Sequence, residues 1–316
     1  MKPYFYAVLV ALVACNPQKK KPEVSVVGLD GTVYYVPEPD EQLQQKLDSA
    51  LAAAQKDFED NPSEANYIWL GRRLAYLSRY QEAVKVFTEG LQQYPDSYRL
   101  LRHRGHRYIT LRQFDKALAD LQMAASLMRQ PLEIEPDGQP NRLNIPLSTV
   151  QFNIWYHLGL AHYLKGDYES AEKAYLRCLD VADNDDLLVA TADWLYMTYC
   201  RMNQPGEAAR VLELIGDDMK IVENDSYYKR LKMYKGQLKP EELLTVDESS
   251  DHADLALATQ GYGVGNYYLC LGDTARAVDI FKKVKNGKHF AAFGFIAAEA
   301  DLLRLEQGTR NRDTDF

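Results

Sequence analysis

Residues of matching type recur along this chain at a spacing of 34. Gly71 is followed by Gly105, Tyr80 by Phe114, Ala83 by Ala117 and Phe87 by Leu121. A further step of 54 reaches Gly159, Tyr168, Ala171 and Tyr175, so a third unit keeps the same internal register after 20 inserted residues. A fixed period of this length means one small helical unit repeated. A single unit cannot bury its apolar faces alone, and stacking on its neighbours makes a continuous core. Glycine in a helix costs roughly 1 kcal/mol against alanine. A glycine kept in one slot therefore needs a packing reason, here the close approach of a second helix carrying Ala83, Ala117 and Ala171.

The best copy runs from Tyr67-Ile68-Trp69-Leu70-Gly71 through Tyr80-Gln81-Glu82-Ala83 to Tyr94-Pro95-Asp96, and Trp155 to Ala171 is nearly as clear. These spacings resemble the tetratricopeptide repeat, a helix pair with a tightly packed Gly in the first helix and small residues in the second. Trp194 to Ile215, Tyr227 to Leu244 and Leu255 to Val284 fit as degraded further copies. Gln42 to Asp60 is expected to open the array and Ala291 to Leu305 to close it. The expected fold is thus all-α, a tetratricopeptide-type α-solenoid of five to six helix pairs over residues 40–305, with a polar tail at 306–316. A wider resemblance, to bacterial tetratricopeptide-repeat proteins without an assigned biochemical role, rests on four stretches. They are Arg102 to Thr110, Glu135 to Asn141, Asn153 to Tyr163 and Gly261 to Asn266. It supplies no catalytic residue.

The N-terminus carries a different signal. Lys2 precedes an apolar run from Tyr4 to Ala14, too short for a membrane span and the right length for a secretory signal. It ends Leu12-Val13-Ala14-Cys15, and here the chain resembles bacterial lipoprotein precursors, in which a small residue stands before the modified cysteine. The resemblance implies a signal peptide over 1–15, cleavage before Cys15, lipidation of Cys15 and a permanent membrane tether. An ordinary secretory signal is the other reading. Asn16, rather than Asp, follows the cysteine, which implies the outer membrane facing the periplasm in preference to the inner one. Residues 16–39 read as a tether. Within it, Glu23 to Val27 and Thr32 to Val36 flank Gly28-Leu29-Asp30-Gly31 as in a β-hairpin.

Motifs for chemistry are missing. The phosphate loop, Gly-x-Ser-x-Gly, His-Glu-x-x-His and Cys-x-x-Cys patterns are all absent, so no enzyme activity, cofactor or metal is expected. Gly261-Tyr262-Gly263-Val264-Gly265 sits in helical register and fits close helix packing, or a place where a partner nears the backbone. Cys178, Cys200 and Cys270 fall on helices as buried thiols, with a Cys178–Cys200 disulfide as the alternative. The inserted stretch at 130–149 holds four of the 13 prolines together with Glu133, Glu135 and Asp137. A connection of that length suits a binding loop, a flap or a spacer.

Charge by position is the most informative pattern. The formal net charge of -8 opposes nucleic-acid binding. Locally, residues 64–113 hold nine Lys/Arg against four Asp/Glu, while 180–255 hold eight against seventeen. The resemblance implies that the first helix of each pair lines a concave groove. By register, Arg72, Arg99, Arg102, His106, Asn153 and Tyr156 face it. The expected function is a non-catalytic scaffold, tethered by its lipid anchor in the bacterial envelope. It would bind a protein partner by an extended or acidic segment. A binding module for small anionic or glycan ligands is the alternative.

Overall fold

The computed structural model describes residues 22–245 and 253–314; the expected lipidation at Cys15 lies outside them. A two-stranded antiparallel hairpin comes first, β1 (Val24–Val27) and β2 (Val33–Tyr35). The opening helix α1 (Glu41–Asp60) follows. Six helix pairs succeed it. They are α2 (Glu64–Tyr76) with α3 (Tyr80–Gln93), α4 (Tyr98–Thr110) with α5 (Phe114–Leu127), and α6 (Val150–Lys165) with α7 (Tyr168–Leu179). Next come α8 (Asp185–Arg201) with α9 (Pro205–Glu213), α10 (Asp225–Tyr234) with α11 (Pro240–Leu244), and α12 (Ala253–Cys270) with α13 (Thr274–Lys285). The last helix, α14, runs Phe293–Thr314. The fold is therefore an all-α, tetratricopeptide-type solenoid with a short extended segment at its start. None of the described helices is long and apolar enough to cross a membrane.

The periodic residues carry out the packing that their spacing demands. A Cβ at Gly71 would run into the Phe87 ring, one at Gly105 would lie 2.8 Å from Leu121, and one at Gly159 would lie 2.7 Å from Tyr175. Gly265 meets Phe281 in the same way, so the sixth pair keeps the register too. Ala83, Ala117, Ala171 and Ala277 are fully buried beside these contacts. The first helices of the first four pairs start on side-chain caps, with Ser63, Ser97, Thr149 and Asn184 accepting a backbone N–H of the first turn. The turn inside each of the six pairs holds one left-handed residue. In order these are Ser78 (φ 58°), Arg112 (60°), Gly166 (82°), Asn203 (55°), Gly236 (74°) and Gly272 (83°). Glycine takes that conformation freely; the other three are held in it by the helices on either side.

The array closes on itself. Helix α14 lies against the first helices of several pairs. Phe293 packs on His106 of α4 and His157 of α6. Asp301 accepts from Arg201 of α8 and from the Tyr262 hydroxyl of α12, and Arg304 donates to the Leu164 carbonyl. Glu299 pairs with Arg112 at 2.9 Å, both side chains buried. The hairpin seals the seam. Ser25 donates to the Ser78 carbonyl on one side, and Tyr34 stacks on Phe290 at 5.2 Å on the other. The concave side of the later pairs is thus filled by the chain's own last helix. That helix continues to Thr314, well past the start of the tail at 306 that the sequence suggested.

Two smaller expectations resolve: the three described cysteines are free thiols, with Cys178 buried as expected but Cys200 half-buried and Cys270 exposed. Cys178 is fully buried and donates to the Phe152 carbonyl. The thiol neighbour of Cys200 is Cys270 and not Cys178, the two sharing a hydrogen bond. In the glycine-rich stretch, Gly261 meets Val284 and Gly263 admits the buried Arg230 guanidinium. The glycines there serve packing.

Candidate functional site

The insertion decides what the first pairs expose. It leaves α5, crosses the concave side of α2 and α4, and returns to α6. An antiparallel bridge between Ile134 and Thr149 pins it, with Glu135 N–H donating to the Ser148 carbonyl at 2.9 Å. Its acids meet the arginines of α4. Glu133 pairs with Arg99, and Glu135 with Arg102 at 3.0 Å. Its carbonyls meet α2, where Arg72 donates to Pro136 at 2.8 Å and Arg73 to Gly138 at 3.0 Å. Gly138 lies so close to the Tyr76 hydroxyl that a Cβ would overlap it.

Two hollows remain between α2, α4 and the insertion. One, of about 280 Å³, is lined by Ile68, Trp69, Arg72, Arg99, Ile134 and Val150 among others. It is largely apolar, and Ile134 at its edge is 67% exposed. The Arg72 guanidinium lies 4.5 Å from the Trp69 ring. The other hollow, of about 130 Å³, is lined by Arg72, Tyr76, Arg102, His103, His106, Arg107 and Glu135 among others. Arg72, His103 and Glu135 belong to both, so the two adjoin.

The second hollow is electrostatically lopsided. Arg102 has Glu135, yet its Nε is buried without a partner. Arg107 makes no hydrogen bond or ion pair among the described residues, and lies 5.6 Å over the Tyr80 ring. Burial drops the Arg107 guanidinium to about 10, with Arg102 and Arg72 adding repulsion. His103 and His106 are held well below the usual imidazole range by burial and by the neighbouring arginines. Both are therefore neutral near pH 7.

The residues that the register turned toward the groove fall into three groups. Arg72, Arg102 and His106 meet around the basic hollow, and Arg72 and Arg99 flank the apolar one. Asn153 is occupied instead in holding the insertion, donating to Glu135 at 3.0 Å and to Ser148 at 2.9 Å. Tyr156 is buried. It donates to the Tyr227 hydroxyl at 3.1 Å and lies beside Phe293, away from both hollows. Arg102 was expected to be exposed; Glu135 and the insertion bury it. Trp69, His103, Arg107 and Ile134 were not expected at the site. The signal for Trp69 was present as an aromatic and basic stripe, Trp69, Arg72, Arg73 and Tyr76, at helical spacing. The acids at 133 and 135 were the counterpart that would have matched the arginines of α4.

Known proteins agree at the level of the repeat. The tetratricopeptide repeat family model matches residues 152–185. The sequence matches no curated protein. Among solved structures, YrrB, described as a TPR protein with an unusual peptide-binding site, is 13% identical. That match covers 77% of this chain and 97% of the other, with a TM-score of 0.44. A tetratricopeptide repeat protein from Parabacteroides merdae is 18% identical over 82% of this chain and 94% of its own, with a TM-score of 0.47. The TPR domain of P58(IPK) is 15% identical over 84% and 76%, with a TM-score of 0.28. What this chain carries, then, is a tetratricopeptide repeat at residues 152–185, set in an array of helix pairs of which the first, second and sixth pack a glycine in the same slot.

Proposed function

We propose that this chain is a non-catalytic scaffold for protein–protein interaction, lipid-anchored through Cys15 in the bacterial cell envelope, on the periplasmic face of the outer membrane. The partner docks at the mouth formed by α2, α4 and the insertion. It presents an extended segment with one apolar side chain for the Trp69 hollow and an acidic group beside it. One observation carries this reading: an apolar hollow and a basic hollow adjoin and share Arg72. Arg99 and Arg102 are already neutralised by the insertion. Among the described residues Arg72 and Arg73 hold only backbone carbonyls and ring faces, so with Arg107 deeper in the basic hollow they are cations open to a partner. Arginine forks suit carboxylates because their planar donors are set in place beforehand.

The test places a photo-crosslinking residue at Ile134, at Trp69 and, for comparison, at Lys85, which is 78% exposed on α3. The same adduct should form from Ile134 and Trp69, be absent from Lys85 and be lost with Arg72→Glu. Adducts from Lys85 alone would move the interface to the outer face. For the anchor, Cys15→Ser should remove incorporation of a labelled fatty acid, and label persisting in the variant would remove the lipoprotein reading.

A further inference from the structure

We propose that the basic hollow between α2, α4 and the insertion is a binding site for a doubly charged tetrahedral oxyanion, inorganic phosphate or the terminal phosphate of a small monoester. This goes beyond the scaffold reading and does not depend on it, since the ion is tested on the chain alone.

Arg72, Arg102 and Arg107 bring three fixed positive charges to the hollow's wall, and Glu135 brings the one carboxylate among the lining residues. The remainder is about two charges. Asp137 attracts Arg72 from farther off without forming an ion pair with it. His103 and His106 are neutral and add no charge, and the His103 ring is engaged by Arg102 at Nδ1 and lies 3.5 Å from Glu135 at Nε2. Guanidiniums crowded together without carboxylates are expensive to bury, and an unpaired buried charge is the costliest kind of defect.

Donors come next. Buried polar atoms are nearly always satisfied, and one that is not calls for a water or an ion. Arg102 is only 8% exposed, and its Nε has no partner. Among the described residues the Arg107 guanidinium has only a ring face. Arg72 spends one donor on the Pro136 carbonyl and keeps others free. The one open donor of Arg102, its Nε, and those of Arg72 and Arg107 around one hollow match the several oxygens of a tetrahedral anion better than the two of a carboxylate; the other Arg102 nitrogens are held by His103 and Glu135.

Size sets the limit. At about 130 Å³ the hollow is well under the roughly 300 Å³ where pockets for drug-sized molecules begin. A phosphate with a little water fits; a nucleotide or a sugar chain does not. The adjoining apolar hollow gives the organic part of a monoester a way out.

The test is calorimetric titration of the full-length chain in a phosphate-free buffer with inorganic phosphate, phenyl phosphate and acetate at matched ionic strength. One phosphate should bind per chain, and acetate at least about tenfold more weakly. Arg107→Gln should weaken phosphate binding by about tenfold or more. Without phosphate, its melting midpoint should equal or exceed that of the parent, because a repelling charge has gone. Arg72→Gln, at a half-exposed position, should weaken binding in the same way and serves as the second variant. Binding of both phosphates supports a phosphorylated ligand, and binding of the inorganic ion alone supports the free ion. No uptake at millimolar phosphate, uptake undiminished in both variants, or acetate binding as tightly as phosphate would overturn the proposal.

Discussion

At the scale of single residues, the sharpest consequence concerns Arg102 and Glu135. Both side chains are buried, and Glu135 also lies 3.5 Å from His103 Nε2. Removing one partner of a buried pair strands the other, at a cost of about 3–5 kcal/mol. Glu135→Gln should therefore lower the urea midpoint sharply, whereas neutralising the more exposed Arg99–Glu133 pair should move it by under about 1 kcal/mol. Equal effects would mean that the insertion does not bury Arg102. The same burial changes what an Arg99→Glu/Arg102→Glu variant would report. It is a stability mutant before it is a binding mutant, because two carboxylates would then face Glu133 and Glu135. Gly105 gives a second residue-scale test. With Leu121 2.8 Å from where its Cβ would be, Gly105→Leu should cost roughly 1–3 kcal/mol. An unchanged midpoint would mean that α4 and α5 do not pack as described.

At the scale of elements, α4 and α6 meet through imidazoles. His106 and His157 lie 4.3 Å apart, and Phe293 of α14 covers both. His103, His106 and His157 are all held well below 6.5, by burial first and by Arg102 or Arg107 next. In the native state they remain neutral while the unfolded chain takes up protons below about 6.5. The stability that they permit is therefore intact above that pH. It is lost as pH falls toward their lowered values, at up to about 1.4 kcal/mol per group per pH unit. Asp193, pushed up to about 7 by burial against the pull of Arg230, works the other way, while His162, also lowered by burial, acts with the three. The urea midpoint should fall between pH 7.5 and 5.5, and a flat profile would put these rings in water. These elements also mark what the sequence could tell. The pairing of Gly71 with Phe87, and of Gly105 with Leu121, was legible because both members of each contact sit at fixed spacings in one repeat. The insertion's path was not. Glu133 and Glu135 reach Arg99 and Arg102 through a chain return that has no period. Arg107 was visible as a charge, but register alone gave no sign that it would lack an acid where Arg104 has Asp120 at 2.7 Å.

At the scale of the whole molecule, the open groove expected of a solenoid is largely taken up by the chain itself. The insertion covers the first pairs and α14 the later ones, and the proposed partner would dock at the mouth left at α2 and α4. Contacts such as Arg112 with Glu299 and Tyr163 with Tyr262 join residues far apart in the chain, so no periodic pattern announces them. Glu299→Ala should cost about 3–5 kcal/mol by stranding Arg112. It should loosen the seam at Tyr34 and Phe290 while leaving α2 and α3 packed. Hydrogen exchange on the intact chain tests the closure most directly. Closure predicts that the amides of α14 from Ile296 to Arg304 are protected to the same degree as those of α4 from Arg102 to Thr110, and that Glu299→Ala lowers protection in α14 and the β1–β2 hairpin together. Free exchange along α14 in the unaltered chain, with α4 still protected, would contradict it and return the concave groove to the solvent.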